Sequence, residues 1–284
     1  MLCNNPKYVQ IMNECDLKVW IEENCPQFYG ILNAKARKEL PNGLVEYLES
    51  NPEIRRDQLS SIEKYLVYLV NICGLKMVAN NYRRDLSSVN SENQVSELFC
   101  EIALCASIGE YSQNLELRPT TGKGTHSDCV FNMIGLNIYG EVKRYADPSH
   151  NNRSIYRAPF CNKPKDSARP RSMDIRSKLH NVHRQFPDGT LNILFVFHTS
   201  YGDTEKYFIQ ALFGDSNFYQ TDSNYTLEDD GLFSIYEWQN ISACCLSRVN
   251  SDSKVDFPFL WKNPHASTEL PETVYNELMN SKHN

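Results

Sequence analysis

A chain of 284 residues, 41% hydrophobic and 23% charged, has the composition of a soluble globular protein with a sizeable core. No apolar run approaches the ~20 residues of a membrane span, and the N-terminal MLCNNPKYVQ lacks the basic-then-apolar pattern of an export signal. The ten cysteines include no CxxC pair, which argues against a zinc site or a dithiol motif. Reduced, buried thiols in a cytoplasmic protein without a membrane partner are therefore expected.

In chain order, residues 6–85 read as helical. PKYVQIMNECDLKVWIEENC carries apolar residues near helical spacing, Pro41-Asn42-Gly43 breaks the pattern, and GLVEYLES follows. IEKYLVYLVNICGLKMVANNYRRDL reads as a third helix, with Leu66, Leu69, Val70, Ile72 and Cys73 on its apolar face. Residues 1–88 are thus expected to form a helical N-terminal region, either a separate domain or a cap on a core at 89–284.

VSELFCEIALCASIGE is the next helix. Val95, Leu98, Phe99, Ile102, Ala103 and Ala106 form its core face, Glu97 and Glu101 share another face, and Gly109 is the expected stop. LELRPTT, DCVFNMI and LNIYGEVKR read as strands, the last two joined at Gly135. Residues 145–172 are irregular, with Pro148, Pro159, Pro164 and Pro170. MDIRSKLHNVHRQF is a helix ended by Pro-Asp-Gly, and TLNILFVFHTS is a buried central strand. KYFIQALFG is a strand or a short helix, ISACCLSRV a late strand, and the tail FPFLWKNPHASTELPETVYNELM ends in a short helix.

Chemistry concentrates in HSDCVFNMIGLNIYGEVKR. Strand alternation puts Glu141 and Lys143 on one face and Val142 on the other, with Asp128 at the end of a loop upstream. Two carboxylates suit Mg²⁺, with Mn²⁺ as a substitute, because such a cation takes hard oxygen ligands and keeps several waters. Asp128, Glu141 and the Val142 backbone carbonyl are the candidate ligands. Lys143 is the candidate group for orienting a water and offsetting charge in phosphodiester hydrolysis.

Charge distribution points the same way. From Glu141 to Arg184 there are eleven Lys or Arg and four Asp or Glu, a balance of +7 within a chain of −6. Arg144, Arg153, Arg157, Lys163, Lys165, Arg169 and Arg171 are candidates for gripping backbone phosphates, with Tyr156 and Phe160 placed to stack on bases.

Ser127-Asp128 followed by Glu141-Val142-Lys143, set between a glutamate-bearing helix and a helix–strand pair, resembles the PD-(D/E)xK nuclease superfamily over about residues 92–215. Serine stands where that family usually has proline. The resemblance implies an α/β fold: an α+β mixed sheet flanked by helices with a restriction-endonuclease-like core, beside the N-terminal helical region. It implies a Mg²⁺-dependent endonuclease cutting DNA, of restriction or defence type, with a homodimer expected where the target is palindromic. It also implies a further catalytic and metal-binding acid on the first core helix, Glu97 by placement, with Glu101 as the alternative. His126 and Gln185 are weaker candidates. Alternative expectations are a nuclease-fold protein that binds nucleic acid or a partner without cleaving, and a nuclease for RNA or branched DNA.

Overall fold

The computed structural model describes residues 14–122, 124–145, 171–198, 204–215, 226–249 and 255–280. Among them are ten α-helices and one six-stranded mixed sheet, an α+β architecture with helices at the N-terminus. None of the described helices is long and apolar enough to cross a membrane. The chain divides into two compact units, 1–98 and 99–284. Composition placed a boundary near 88, ahead of helix α7; the compact units part inside that helix.

The first unit holds α1 (Glu14–Asn24), α2 (Pro26–Ile31), α3 (Ala34–Lys38), α4 (Asn42–Ser50), α5 (Pro52–Cys73), α6 (Leu75–Leu86) and the start of α7 (Glu92–Tyr111). Pro26 and Pro52 stand at helix starts, where a missing N–H costs nothing. The long helical pattern around residues 62–86 is two helices, broken at Gly74, whose φ of +84° is open to glycine at little cost. The buried stripe of α5 is Leu59, Ile62, Leu66 and Leu69; Ile72, expected on that face, is exposed.

Polar groups inside this unit are closely matched. The Arg55 guanidinium pairs with Glu92, donates to Gln58 at 2.9 Å and to Ser50 at 3.2 Å, and lies 4.3 Å over the Tyr47 ring. The Glu63 carboxylate accepts the Gln27 and Phe28 amides at 2.9 and 2.8 Å, satisfying the first turn of α2.

The second unit is built on β1 (Gln113–Leu117), β2 (Cys129–Met133), β3 (Leu136–Tyr145), β4 (Leu191–His198), β5 (Ala243–Val249) and β6 (Val255–Lys262), which lie side by side in chain order. The β1–β2, β2–β3 and β5–β6 pairs are antiparallel; β3–β4 and β4–β5 are parallel. The remaining helices are α8 (Arg171–Leu179), α9 (Thr204–Phe213) and α10 (Glu272–Asn280), with a 3-10 turn at Val182–Gln185 after α8. Leu191–Phe197 of β4 are all buried, as their continuous apolar run requires.

Two local expectations are corrected and one open alternative is decided. Helix α7 runs through Gly109 to Tyr111, because one glycine in a last turn costs only about 1 kcal/mol. KYFIQALFG is the helix α9, packed through Phe208, Ile209, Leu212 and Phe213. FPFLWK, read only as tail, is the edge strand β6, a position that tolerates Pro258. On one sheet face, Leu194, Val196, Cys244 and Leu246 pack with Ile175 and Leu179 of α8, Phe208 and Leu212 of α9, and Trp238.

Two glycines shape β3. Ile134-Gly135 joins β2 to β3 with both φ values positive, 53° and 77°, the requirement of a type I′ hairpin. A Cβ on Gly140 would stand 2.8 Å from the Cys129 Sγ and 3.3 Å from the Phe195 ring. Glycine therefore lets the sheet close beside the next residue, Glu141.

Candidate active site

The β2–β3 ladder ends at the Cys129–Gly140 pair, and the next rung is made by a side chain. The Val142 amide donates to the Asp128 carboxylate at 2.7 Å. An extended residue directs its N–H and C=O to the same strand edge, so the Val142 carbonyl leaves β3 on the Asp128 side as well.

Strand alternation then places Glu141, Lys143 and Tyr145 together on the opposite side of the pleat from Val142 and Arg144. Tyr145 meets Phe208 of α9 edge-to-face at 5.7 Å, which identifies that side as the one covered by α8 and α9. The Lys143 ammonium lies 2.5 Å from the Glu141 Oε1. Glu141 is fully buried, and among the described residues its Oε2 accepts no hydrogen bond. A buried carboxylate oxygen left this way is costly unless something else serves it.

The electrostatics follow from crowding. Burial, then the neighbouring Glu141, pushes the half-buried Asp128 up to about 7, against the opposing pull of Lys143 and the Val142 amide. Burial also raises Glu141 to about 7, although Lys143 favours its charged form. For Lys143, burial disfavours the cation, but Glu141 and Asp128 outweigh it and its pKa is raised. Two carboxylates that resist ionising beside a firmly charged ammonium make a site short of positive charge.

The loop that carries Asp128 is tied down from two directions. The Ser127 hydroxyl donates to the Gln185 carbonyl at 2.8 Å, and Thr125 donates to the Arg184 carbonyl at 3.1 Å. Serine thus anchors the position before the aspartate, and Gln185 serves through its main chain. On the other side the Arg118 amide donates to the Asp128 carbonyl at 2.9 Å. His126 is exposed, its Nδ1 3.2 Å from the Arg118 carbonyl.

Of the two helix acids, Glu101 is buried and exerts its field on Glu141 and Lys143. Glu97, one turn earlier on α7, is exposed. Arg118, which sequence reasoning did not single out, forms a two-pronged pair with Glu101, Nε to Oε1 at 2.9 Å and Nη2 to Oε2 at 3.1 Å. Its only signal in the sequence is a cation just after the first core strand. Its φ of +50° is invisible there.

Among the phosphate-gripping candidates, Arg144 is only 7% exposed, on the face of β3 opposite Glu141 and Lys143; it is not a surface cation. Arg171 begins α8 and lies 5.2 Å over the Tyr207 ring. Arg153, Arg157, Lys163, Lys165 and Arg169, with Tyr156 and Phe160, fall outside the described residues.

Among the described residues no group of three or more His, Cys, Asp and Glu side chains forms a ready metal cage. Asp128 and Glu141 offer two carboxylates, and the buried Glu141 Oε2 has no hydrogen bond among the described residues. That donor set fits a cation that keeps most of its waters better than one held entirely by protein. In comparisons with known proteins, the chain matches no family model, no curated protein and no solved structure.

Proposed function

We propose that the protein is a Mg²⁺-dependent endonuclease that hydrolyses phosphodiester bonds in DNA. The observation that carries this reading is the buried Glu141: one oxygen faces Lys143, the other has no hydrogen-bond partner among the described residues, and a second carboxylate, Asp128, stands beside it. Such a group persists where a cation is meant to complete it. The order α7, antiparallel β1–β2–β3, α8, then parallel β4 supports a restriction-endonuclease-like core, as the Asp…Glu-x-Lys resemblance implies.

Asp128, Glu141 and the Val142 carbonyl would hold the cation. When bound, Mg²⁺ supplies charge neutralisation at the phosphate and a more acidic water. The chain's own contribution is positional. Val142 locks the Asp128 carboxylate through its amide, and Ser127 and Thr125 keep the loop from moving away. Lys143, held by Glu141, orients the attacking water and offsets negative charge as the bond to the leaving oxygen breaks. The +7 stretch from Glu141 to Arg184 begins on this strand and provides the field for a phosphate backbone.

The test is cleavage of plasmid, single-stranded DNA and RNA by purified protein with Mg²⁺, Mn²⁺ or EDTA, beside Asp128→Ala and Lys143→Ala. Metal-dependent cutting of plasmid, lost in both variants, is the expected outcome. Binding without cutting under any metal overturns the reading in favour of a non-cleaving binding protein, and cutting confined to RNA reassigns the substrate.

A further inference from the structure

We propose that the last turn of α8 and the 3-10 turn after it form a fixed phosphate-binding rail, on which Lys178 and Arg184 grip the backbone of duplex DNA beside the catalytic centre. This rests on the nuclease reading above and names residues that hold its substrate.

The stretch from Arg176 to Phe186 carries three Lys or Arg, two His and no Asp or Glu. A phosphate backbone is drawn to such a local excess of positive charge. Its cations differ in what they are committed to. Arg176 serves the fold: its Nη2 lies 2.7 Å from Asp215 and donates to the Gln210 carbonyl at 2.7 Å, and its Nη1 lies 3.0 Å from Asp230. Lys178 stands about 200° further round the helix, on another side. It is exposed, and its ammonium lies 5.5 Å over the ring of Tyr145. Tyr145 follows Lys143 by two residues on the same face of β3, about 7 Å along the strand. A cation seated on an aromatic ring is positioned without giving its charge to a carboxylate.

Arg184 is tied to the centre through its main chain. Its carbonyl accepts the Thr125 hydroxyl at 3.1 Å, and the Gln185 carbonyl accepts the Ser127 hydroxyl at 2.8 Å, one residue before Asp128. Two more carbonyls are held from elsewhere. The Trp238 Nε1 donates to His180 at 3.2 Å, and the Asn240 Nδ2 donates to His183 at 2.8 Å. Both donors belong to the 3-10 turn Tyr236–Asn240, and Trp238 is fully buried in the core.

Four carbonyls between His180 and Gln185 are thus fixed by side chains of two other segments, while the His180 and Arg184 side chains face solvent. Among the described residues neither Lys178 nor Arg184 has an ion-pair partner. A turn clamped from behind keeps its exposed cations in one arrangement, so less ordering is left to be lost on binding. Two of the clamping bonds are the ones that hold the Asp128 loop. A phosphate gripped by this turn is therefore held in register with the carboxylates.

The experiment follows binding of a short fluorescent DNA duplex to the full-length protein by anisotropy, in Ca²⁺ and in EDTA, across a KCl series. The variants are Lys178→Gln, Arg184→Gln, the two together, Arg184→Lys, and Lys262→Gln on the edge strand β6 as a control. Each single glutamine variant should lower the slope of log affinity against log salt by about one, and weaken binding about five- to tenfold at about 0.1 M KCl. The double variant should lose about two from the slope. Arg184→Lys, which keeps the charge, should keep the slope, as should Lys262→Gln. Because both side chains are exposed, the urea midpoint should stay at the wild-type value in each glutamine variant. A wild-type slope in the double variant overturns the rail and leaves the nuclease reading standing. A slope that falls only where the urea midpoint falls too also overturns it. A wild type that binds no duplex in either buffer overturns the DNA reading itself, and the rail with it.

Discussion

Among the described residues, the Arg55 cluster of the helical unit and the Glu141 cluster of the sheet unit are both buried, and they are finished to different degrees. In the helical unit, Arg55 has Glu92, Gln58, Ser50 and the Tyr47 ring around it, so each part of its guanidinium is used. In the sheet unit, Glu141 is buried just as deeply, yet among the described residues one of its oxygens has no partner, and both it and Asp128 are pushed towards neutrality. Matched charges hold a fold together. A buried carboxylate with one oxygen on a lysine and the other unserved is the observation on which the proposed cation site rests.

The sharpest way to break this contrast is to neutralise each cluster and compare the losses. Asp128→Ala should lower metal-dependent cleavage about 10³-fold or more, some 4 kcal/mol of barrier, while a thermal melt shows little or no destabilisation. Arg55→Met should do the reverse in a urea titration, costing about 3–5 kcal/mol because Glu92 is left buried without its partner. Comparable destabilisation by both would erase the distinction.

A pH series sharpens it further. A carboxyl whose folded pKa is raised favours the protonated native state, so its stabilising effect is full below the unfolded value and fades as pH rises through the folded one. For Asp128 that window runs from its ordinary value of 3.8 to about 7. Stability measured by urea midpoint should fall across it, fall less in Asp128→Asn, and recover at pH 8 when Mg²⁺ is added. A midpoint at pH 8 that ignores Mg²⁺ contradicts the metal reading.

Smaller effects probe the scaffold. Gly140→Ala should cost about 1–3 kcal/mol by overpacking against Cys129 and Phe195, and should disturb Glu141 beside it. Ile134→Asn should stabilise the protein by up to about 1 kcal/mol, because a β-branched residue at φ +53° gives way to one that tolerates that conformation. Chemical denaturation measures both.

The elements with strong periodicity were legible from the chain alone. The apolar run of β4, the Gly135 hairpin and the core face of α7 all stand where alternation and helical spacing put them. So does the shared face of Glu141 and Lys143. What could not be read depends on partners distant in sequence. Placement along α7 favours Glu97 over Glu101, whereas the fold exposes Glu97 and buries Glu101 against Arg118, seventeen residues further on. Strand β6 was hidden by Pro258, whose usual meaning reverses at a sheet edge. Arg144 reads as one more surface cation in the sequence, but this end of β3 is buried on both faces.

The amide of Val142 has a use beyond holding Asp128 in place. It is the rung at which the β2–β3 ladder passes from main chain to carboxylate. Its nitrogen and proton resonances, and its rate of exchange with solvent, will therefore follow the state of one side chain. A ¹⁵N-labelled sample gives a native spectroscopic reporter at the centre of the site, one that registers a proton, a cation or a bound phosphate without any introduced probe.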